Sequence, residues 1–185
     1  MGFLKNRKVA IVITVIFIVL ATLFGVGRSL NRLARDVEVM FYEGVYMEDA
    51  GFVQPGINLH LENITQAALD CSSMFAGHAE LADVSEVLMI ARRGMLEAGS
   101  ISEKHAAYEK INRAFTDFFS KAHTIELSER DADSIALYSS IFTGAVGAIQ
   151  SSEYNVKAGN FMSGASPIAF LLKPFVFVSS PQSFG

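Results

Sequence analysis

The eighteen residues from Val9 to Val26 carry no charge, and all but Thr14, Thr22 and Gly25 are apolar. As an α-helix this run is about 27 Å long, close to the ~30 Å hydrocarbon thickness of a bilayer. Its apolar residues cover every face, whereas a helix on the surface of a soluble domain keeps a polar side. Lys5, Arg7 and Lys8 precede it, and Arg28, Arg32 and Arg35 follow. A cleaved secretory signal has a shorter apolar stretch of roughly 7–15 residues, and the small-x-small site Gly25-Val26-Gly27 would cut just before Arg28. Length therefore favours an uncleaved single-pass anchor in the cell membrane. The flanks tie at three basic residues each; the compact Lys5–Lys8 cluster and the amino terminus favour an inside N-terminus, with the body outside the cytoplasm.

The expected organisation is a basic tail over residues 1–8, a transmembrane helix over 9–27, a helical bundle domain over 28–162 and an apolar tail over 163–185. Charge divides along the same line. Residues 1–35 contain six Lys or Arg and no acid, while the remainder contains nine against nineteen Asp or Glu. An acidic body repels phosphate backbones, which argues against nucleic acid as a partner, whereas the basic collar is attracted to anionic lipid. Cys71 is the single cysteine, so the chain has no internal disulfide.

Beyond the anchor, apolar residues recur at helical spacing. Leu30, Leu33, Val37, Met40, Phe41 and Val45 mark one face, and only Gly25 and Gly27 interrupt the path from the anchor, so the spanning helix is expected to run on into the body. Gly51 and Pro55-Gly56 mark a turn. A second helix starts at Ile57, with Leu61, Ile64, Ala68, Cys71 and Phe75, and extends through Leu81, Val84, Leu88, Ile90, Ala91 and Met95 with an irregularity at Gly77. Ser100-Ile101-Ser102-Glu103 has capping-box spacing and opens a third helix with Tyr108, Ile111, Phe115, Phe118 and Ala122. Ser128 to Asp131 repeats the logic before a fourth, with Ile135, Tyr138, Ile141, Phe142, Val146 and Ile149, continuing to Tyr154, Ala158 and Phe161. No alternating pattern bounded by hairpin turns is evident. The fold class expected is all-α: an N-terminal transmembrane helix, then an antiparallel bundle of about four long helices. A three-helix body with a kinked second helix is the alternative. Ile168 to Val178 is too short to span a bilayer and contains Pro174; of capping the bundle, crossing a helix or touching the membrane surface, packing on the bundle is favoured.

The residues name no reaction. A di-metal bundle site needs Glu-x-x-His on two helices, but Ile57, Phe75, Ser102 and Ser120 stand three residues before the four histidines. His105 and Glu109 lie one turn apart, as solvated helix pairs commonly do. Gly25-Val26-Gly27 follows an apolar helix rather than a strand, and no phosphate-loop or nucleophile-elbow motif occurs. Neither catalytic residue, cofactor nor metal is expected.

The ending carries a family likeness. Ser152-Glu153-Tyr154-Asn155, then Phe161, Pro167, Phe177, Pro181 and Phe184, resembles the ending of LemA family proteins: a Tyr-Asn pair near the end of the last long helix, an aromatic seven residues on, then a proline, an apolar segment and a Phe-rich tail. Ala76-Gly77-His78-Ala79-Glu80, with Val84 and Ala91-Arg92, is similar to the family's second helix. Met162 replaces the usual Asn, the Phe161–Pro167 spacing is short, and Ala67 and Ala68 stand where basic residues and a Pro-Asn pair are usual, so the likeness is to a divergent member. It implies a membrane-tethered helical bundle of unsettled molecular role and carries over no catalytic residue. The motif also has a physical reading. Residues seven apart share a helix face, so Tyr154 and Phe161 are expected in the core, with Asn155 bonding to a neighbouring helix or loop.

The function expected is an anchored interaction or scaffold module whose partners are membrane lipid and an unknown membrane or envelope protein. An extracytoplasmic sensory bundle that binds a ligand and signals through a partner is the alternative. The interaction reading expects an exposed apolar patch, near the tail.

Overall fold

The structure is a computed structural model that describes residues 7–161 and 181–184. Its first helix, α1 (Arg7–Glu43), runs unbroken for 37 residues, about 55 Å. Two environments divide it. Ile11, Val12, Val15, Ile16, Phe17, Ile18, Val19, Leu20 and Phe24 are all at least half exposed. Farther on, Leu30, Val37 and Phe41 are buried along one face. Within the apolar half, the Thr14 and Thr22 hydroxyls donate to the carbonyls of Ala10 and Ile18 at 2.9 and 2.8 Å, so both polar groups are satisfied inside the helix. This half is long and apolar enough to cross a membrane.

Gly44, at φ +92°, closes α1 and leads into a hairpin, β1 (Val45–Met47) and β2 (Phe52–Gln54), antiparallel with Tyr46 opposite Val53. The hairpin returns the chain to α1. Gly56 then packs so closely on the Phe41 and Tyr42 backbone that a Cβ would stand 2.5 Å from the Phe41 oxygen.

Four helices follow: α2 (Ile57–Phe75), α3 (Ala82–Glu97), α4 (Ile101–Ala122) and α5 (Glu129–Gln150). Short connections make successive members antiparallel. Helix α2 lies between α3 and α5, and α4 packs on α3. The bundle closes through aromatic rings: Phe115 of α4 stacks on Phe142 of α5 at 4.5 Å, and Phe118 meets Phe75 of α2 at 5.8 Å. Such pairs are worth about 0.5–1.5 kcal/mol beyond their area burial. The short α6 (Glu153–Gly159) follows α5 and packs against α1. The fold class is therefore the expected one, an N-terminal apolar helix followed by an all-α bundle.

Three details differ from the sequence expectation. The second helix is two: the chain turns over 76–81, where the His78 N–H donates to the Phe75 carbonyl and fully buried Leu81 seats the turn. The hairpin was missed because three-residue strands are too short to display alternation. The fourth helix ends at Gln150, and Ser152 recaps the chain as α6 through the Tyr154 N–H. Phe161 is buried, but in the turn after α6 rather than on a continuous helix with Tyr154.

Both proposed caps form, in different ways. Ser100 accepts from the Glu103 N–H at 3.2 Å while the Glu103 carboxylate takes the N–H groups of Ser100 and Gly99, both at 2.9 Å. Those bonds hold the Glu103 carboxyl below its ordinary pKa. Ser128 accepts from the Asp131 N–H, but the shorter Asp131 side chain takes the Ser128 hydroxyl at 2.7 Å instead of a backbone N–H.

Candidate functional site

The Tyr154-Asn155 pair lies where α1, α4, α5, α6 and the C-terminal residues meet. Serine 152 starts α6 there, placing Tyr154 inward and Asn155 against the chain end. Tyr154 is fully buried, and its hydroxyl donates to the Gln182 carbonyl at 2.8 Å. The Asn155 Oδ1 accepts the Phe184 N–H at 2.7 Å and the Ser183 hydroxyl at 3.3 Å. Its Nδ2 donates to the Ile149 carbonyl at the end of α5, at 2.6 Å. Asparagine offers both an acceptor and a donor on one short side chain, and both ends are used.

The segment 181–184 is thereby strapped to the bundle, and Phe184 is its anchor. Its ring is buried and lies 5.3 Å from Phe41, 5.0 Å from His105, 5.9 Å from Tyr108 and 6.3 Å from Tyr154. Phe41 also meets Tyr154 at 5.4 Å. The cluster joins the last body turn of α1 to α4, α6 and the chain end. Burial pushes the Tyr154 phenol up to about 12, with Glu38 and Tyr42 adding to the shift, and raises that of Tyr108.

Of the motif residues, Tyr154, Asn155 and the Phe184 position come together here. Phe161 is buried nearby in sequence, and Pro181 lines a groove of about 380 Å³ with Ala34, Glu38, Ser100 and Ile101. Pro167, Phe177 and the apolar run Ile168–Val178 lie outside the described residues. What is described of the tail, 181–184, packs on the bundle.

Gln54 completes the junction and gave no sequence signal beyond standing before Pro55-Gly56. Its Oε1 accepts the Glu153 N–H at 2.8 Å, at the start of α6, and its Nε2 lies 3.5 Å from the Ser151 carbonyl. The inner side of the hairpin is thus tied to α5 and α6. Its outer side shows Tyr46 and Val53, with Phe52 at the tip, all more than half exposed, and Val39 and Tyr42 of α1 are also exposed. This apolar corner shares an end of the bundle with the C-terminal strap.

The other sequence candidates are dispersed. His105 spends its ring on Phe184, while Glu109 lies 4.0 Å from Arg113. His78 sits 3.7 Å from Asp131 at the far end of the bundle, near the Lys121–Asp83 pair at 2.6 Å. Cys71 is fully buried, and burial pushes its thiol up to about 12, which suppresses the reactive thiolate near neutral pH. Thr65, the third residue of an Asn-x-Thr triplet, is buried with its hydroxyl on the Leu61 carbonyl. Among the described residues, no three His, Cys, Asp or Glu side chains converge on one point. The arrangement at the Tyr-Asn pair can hold a chain and transmit position; it brings no nucleophile to a base.

No family model, curated protein or solved structure matches the chain.

Proposed function

We propose that the protein is a membrane-anchored interaction module of the cell envelope, a divergent LemA-like chain that fixes α1 in lipid and holds its bundle outside the cytoplasm. The observation that carries this reading is the uninterrupted α1. One helix passes from an all-round apolar, exposed half to a half whose Leu30, Val37 and Phe41 are buried. Anchor and body therefore share one rod, and the strap and hairpin fasten the body to its end.

The exposed corner of Tyr46, Phe52, Val53, Val39 and Tyr42 suits a partner with an apolar face. An envelope or membrane protein fits this better than nucleic acid, given the acidic body. The family likeness rests on Tyr154, Asn155, Phe161, Pro167, Phe177, Pro181 and Phe184, of which Tyr154, Asn155 and Phe184 build one junction.

The decisive experiment places a photo-crosslinking amino acid at Tyr46 in intact membranes and identifies adducts by mass spectrometry. A reproducible neighbour at Tyr46, absent with the probe at Leu137 on α5, is the expected result. Failure to recover one at either position counts against the interaction reading. Orientation is read separately with an impermeant maleimide on Glu129→Cys, because buried Cys71 contributes little background.

The sensory alternative gains support from one observation, a cavity between α2, α3 and α4 whose charged lining is Arg92, Lys104 and Glu62.

A further inference from the structure

A cavity of about 280 Å³ opens between α2, the end of α3 and the start of α4. Leu61 and Met95 are its buried apolar floor, and exposed Leu96 stands at its rim. Two cations line it, Arg92 from α3 and Lys104 from α4. Neither has a carboxylate within ion-pair distance among the described residues, where the ion pairs are His78–Asp131, Arg113–Glu109, Lys121–Asp83 and Lys157–Glu153.

The two cations are held differently. The Lys104 ammonium donates to the Asn58 Oδ1 and lies 5.1 Å from the Tyr42 ring centre and 5.8 Å from that of Phe41. Asn58 in turn donates to the Glu62 carboxylate at 2.6 Å. Arg92 is half-buried, and its Nε–H is sealed from solvent with no hydrogen-bond partner among the described residues. Leaving a buried donor of a charged group unpaired is costly, and an ion or water that completes the site is a standard explanation. A guanidinium also presents the forked edge that matches a carboxylate.

We propose that this cavity binds a small organic monocarboxylate, its carboxylate on Arg92 and Lys104 and its apolar body on Leu61, Met95 and Leu96. Glu62, at the same wall, repels a dianion more than a monoanion, which weighs against the dianionic form of phosphate. The volume lies near the lower end of ligand pockets, about 300–1,000 Å³, so the ligand is small.

The test uses full-length protein in detergent with methionine methyl groups labelled by ¹³C, the Met95 signal being assigned from Met95→Leu. Pentanoate, its neutral amide and inorganic phosphate are each added at about 10 mM against chloride of equal ionic strength. Pentanoate is expected to move the Met95 methyl signal and raise Tm by about 2–4 °C, as a ligand of the native state does. Pentanamide and phosphate are expected to do neither. Arg92→Leu is expected to fold with an unchanged or raised Tm, because it removes an unpaired charge, and to lose the pentanoate response. Arg92→Lys tests the fork: it keeps the charge and is expected to keep only part of the response. An equal response to pentanamide means that apolar filling alone is responsible and overturns the proposal. An equal response to phosphate assigns the cations to a different ligand and overturns it too, as does no response to any of the three or a full response in Arg92→Leu.

Discussion

Asn155 holds the main chain at Phe184: its Oδ1 accepts the Phe184 N–H at 2.7 Å while its Nδ2 grips the Ile149 carbonyl at 2.6 Å. One amide thus ties the chain end to α5, and the Phe184 ring, placed by that bond, meets Phe41 of α1. Asn155→Ala leaves both a donor and an acceptor unpaired in a largely buried setting. The expected loss is about 2–3 kcal/mol in urea unfolding of the full chain. Asn155→Asp is expected to lose a similar amount, since it turns an oxygen toward the Ile149 carbonyl. Faster carboxypeptidase release of the C-terminal residues in both variants is the second readout. Wild-type stability in both would show that the strap contributes nothing.

Tyr154 and Cys71 set an alkaline limit. Each has a folded pKa of about 12, above its ordinary 10.0 and 9.0, because burial disfavours the charged form. Tyr108 shifts in the same direction. The unfolded chain therefore releases these protons first. Between about pH 9 and pH 12 it binds fewer protons than the folded chain, so stability is full below that window and falls as pH rises through it. Ionised Tyr154 also loses the donor that holds Gln182. Urea midpoints across this range are expected to decline. Tyr154→Phe removes the hydroxyl bond, at a cost of about 1 kcal/mol near neutrality, and flattens the decline. A decline equally steep in that variant would assign the pH dependence elsewhere.

How much of this was legible in the chain depends on the range of the interaction. The Ser100–Glu103 box is local, with both partners inside one turn, so its spacing announced it. The Ser128–Asp131 cap was half right, because Asp lacks the methylene needed to reach back to the backbone. The break over 76–81 was partly legible: Gly77 marked an irregularity, and Leu81, six residues after Phe75, falls off the apolar face of α2 and starts that of α3; that the irregularity is a full turn is fixed by α3 folding back on α2, a tertiary choice. At the junction, Tyr154 and Asn155 stood out as a pair, but the role of Phe184 depends on Phe41, far away in sequence. Gln54 was invisible because its partners, the Glu153 N–H and Ser151 carbonyl, are main-chain groups common to any sequence.

Gly56 and Gly44 test the close approach of the hairpin to α1. A Cβ on Gly56 would lie 2.5 Å from the Phe41 oxygen and 2.8 Å from the Tyr42 carbonyl carbon and oxygen; one on Gly44 would lie 2.1 Å from the Gln54 oxygen, at φ +92°. Backbone cannot step aside as a flexible side chain can. Each change to Ala is expected to cost about 1–3 kcal/mol. Gly144, inside α5 with nothing within 4 Å of an added Cβ, is the contrast: Gly144→Ala is expected to stabilise by about 0.5–1 kcal/mol. Thermal unfolding separates the two signs, at about 2–4 °C per kcal/mol for a chain of this size. A neutral Gly56→Ala would mean that α1 and α2 are not so tightly apposed.

Helix α1 should fail in two separable ways, because its halves face different surroundings. Ile18 lies near the middle of the uncharged run and is 59 % exposed; Leu30, three turns on, is 1 % exposed. If lipid surrounds Ile18, then Ile18→Asp places a charge near the bilayer centre, at about 2.5–3.5 kcal/mol on an insertion scale. That variant is expected to shift into the alkaline-carbonate supernatant while its body keeps wild-type protease resistance. Leu30→Asp buries a charge against the body instead. It is expected to stay in the carbonate pellet and become protease-sensitive. Wild-type protein washed free by carbonate, or Ile18→Asp that unfolds the body without loosening the membrane attachment, would show that the apolar half of α1 is covered by protein rather than lipid.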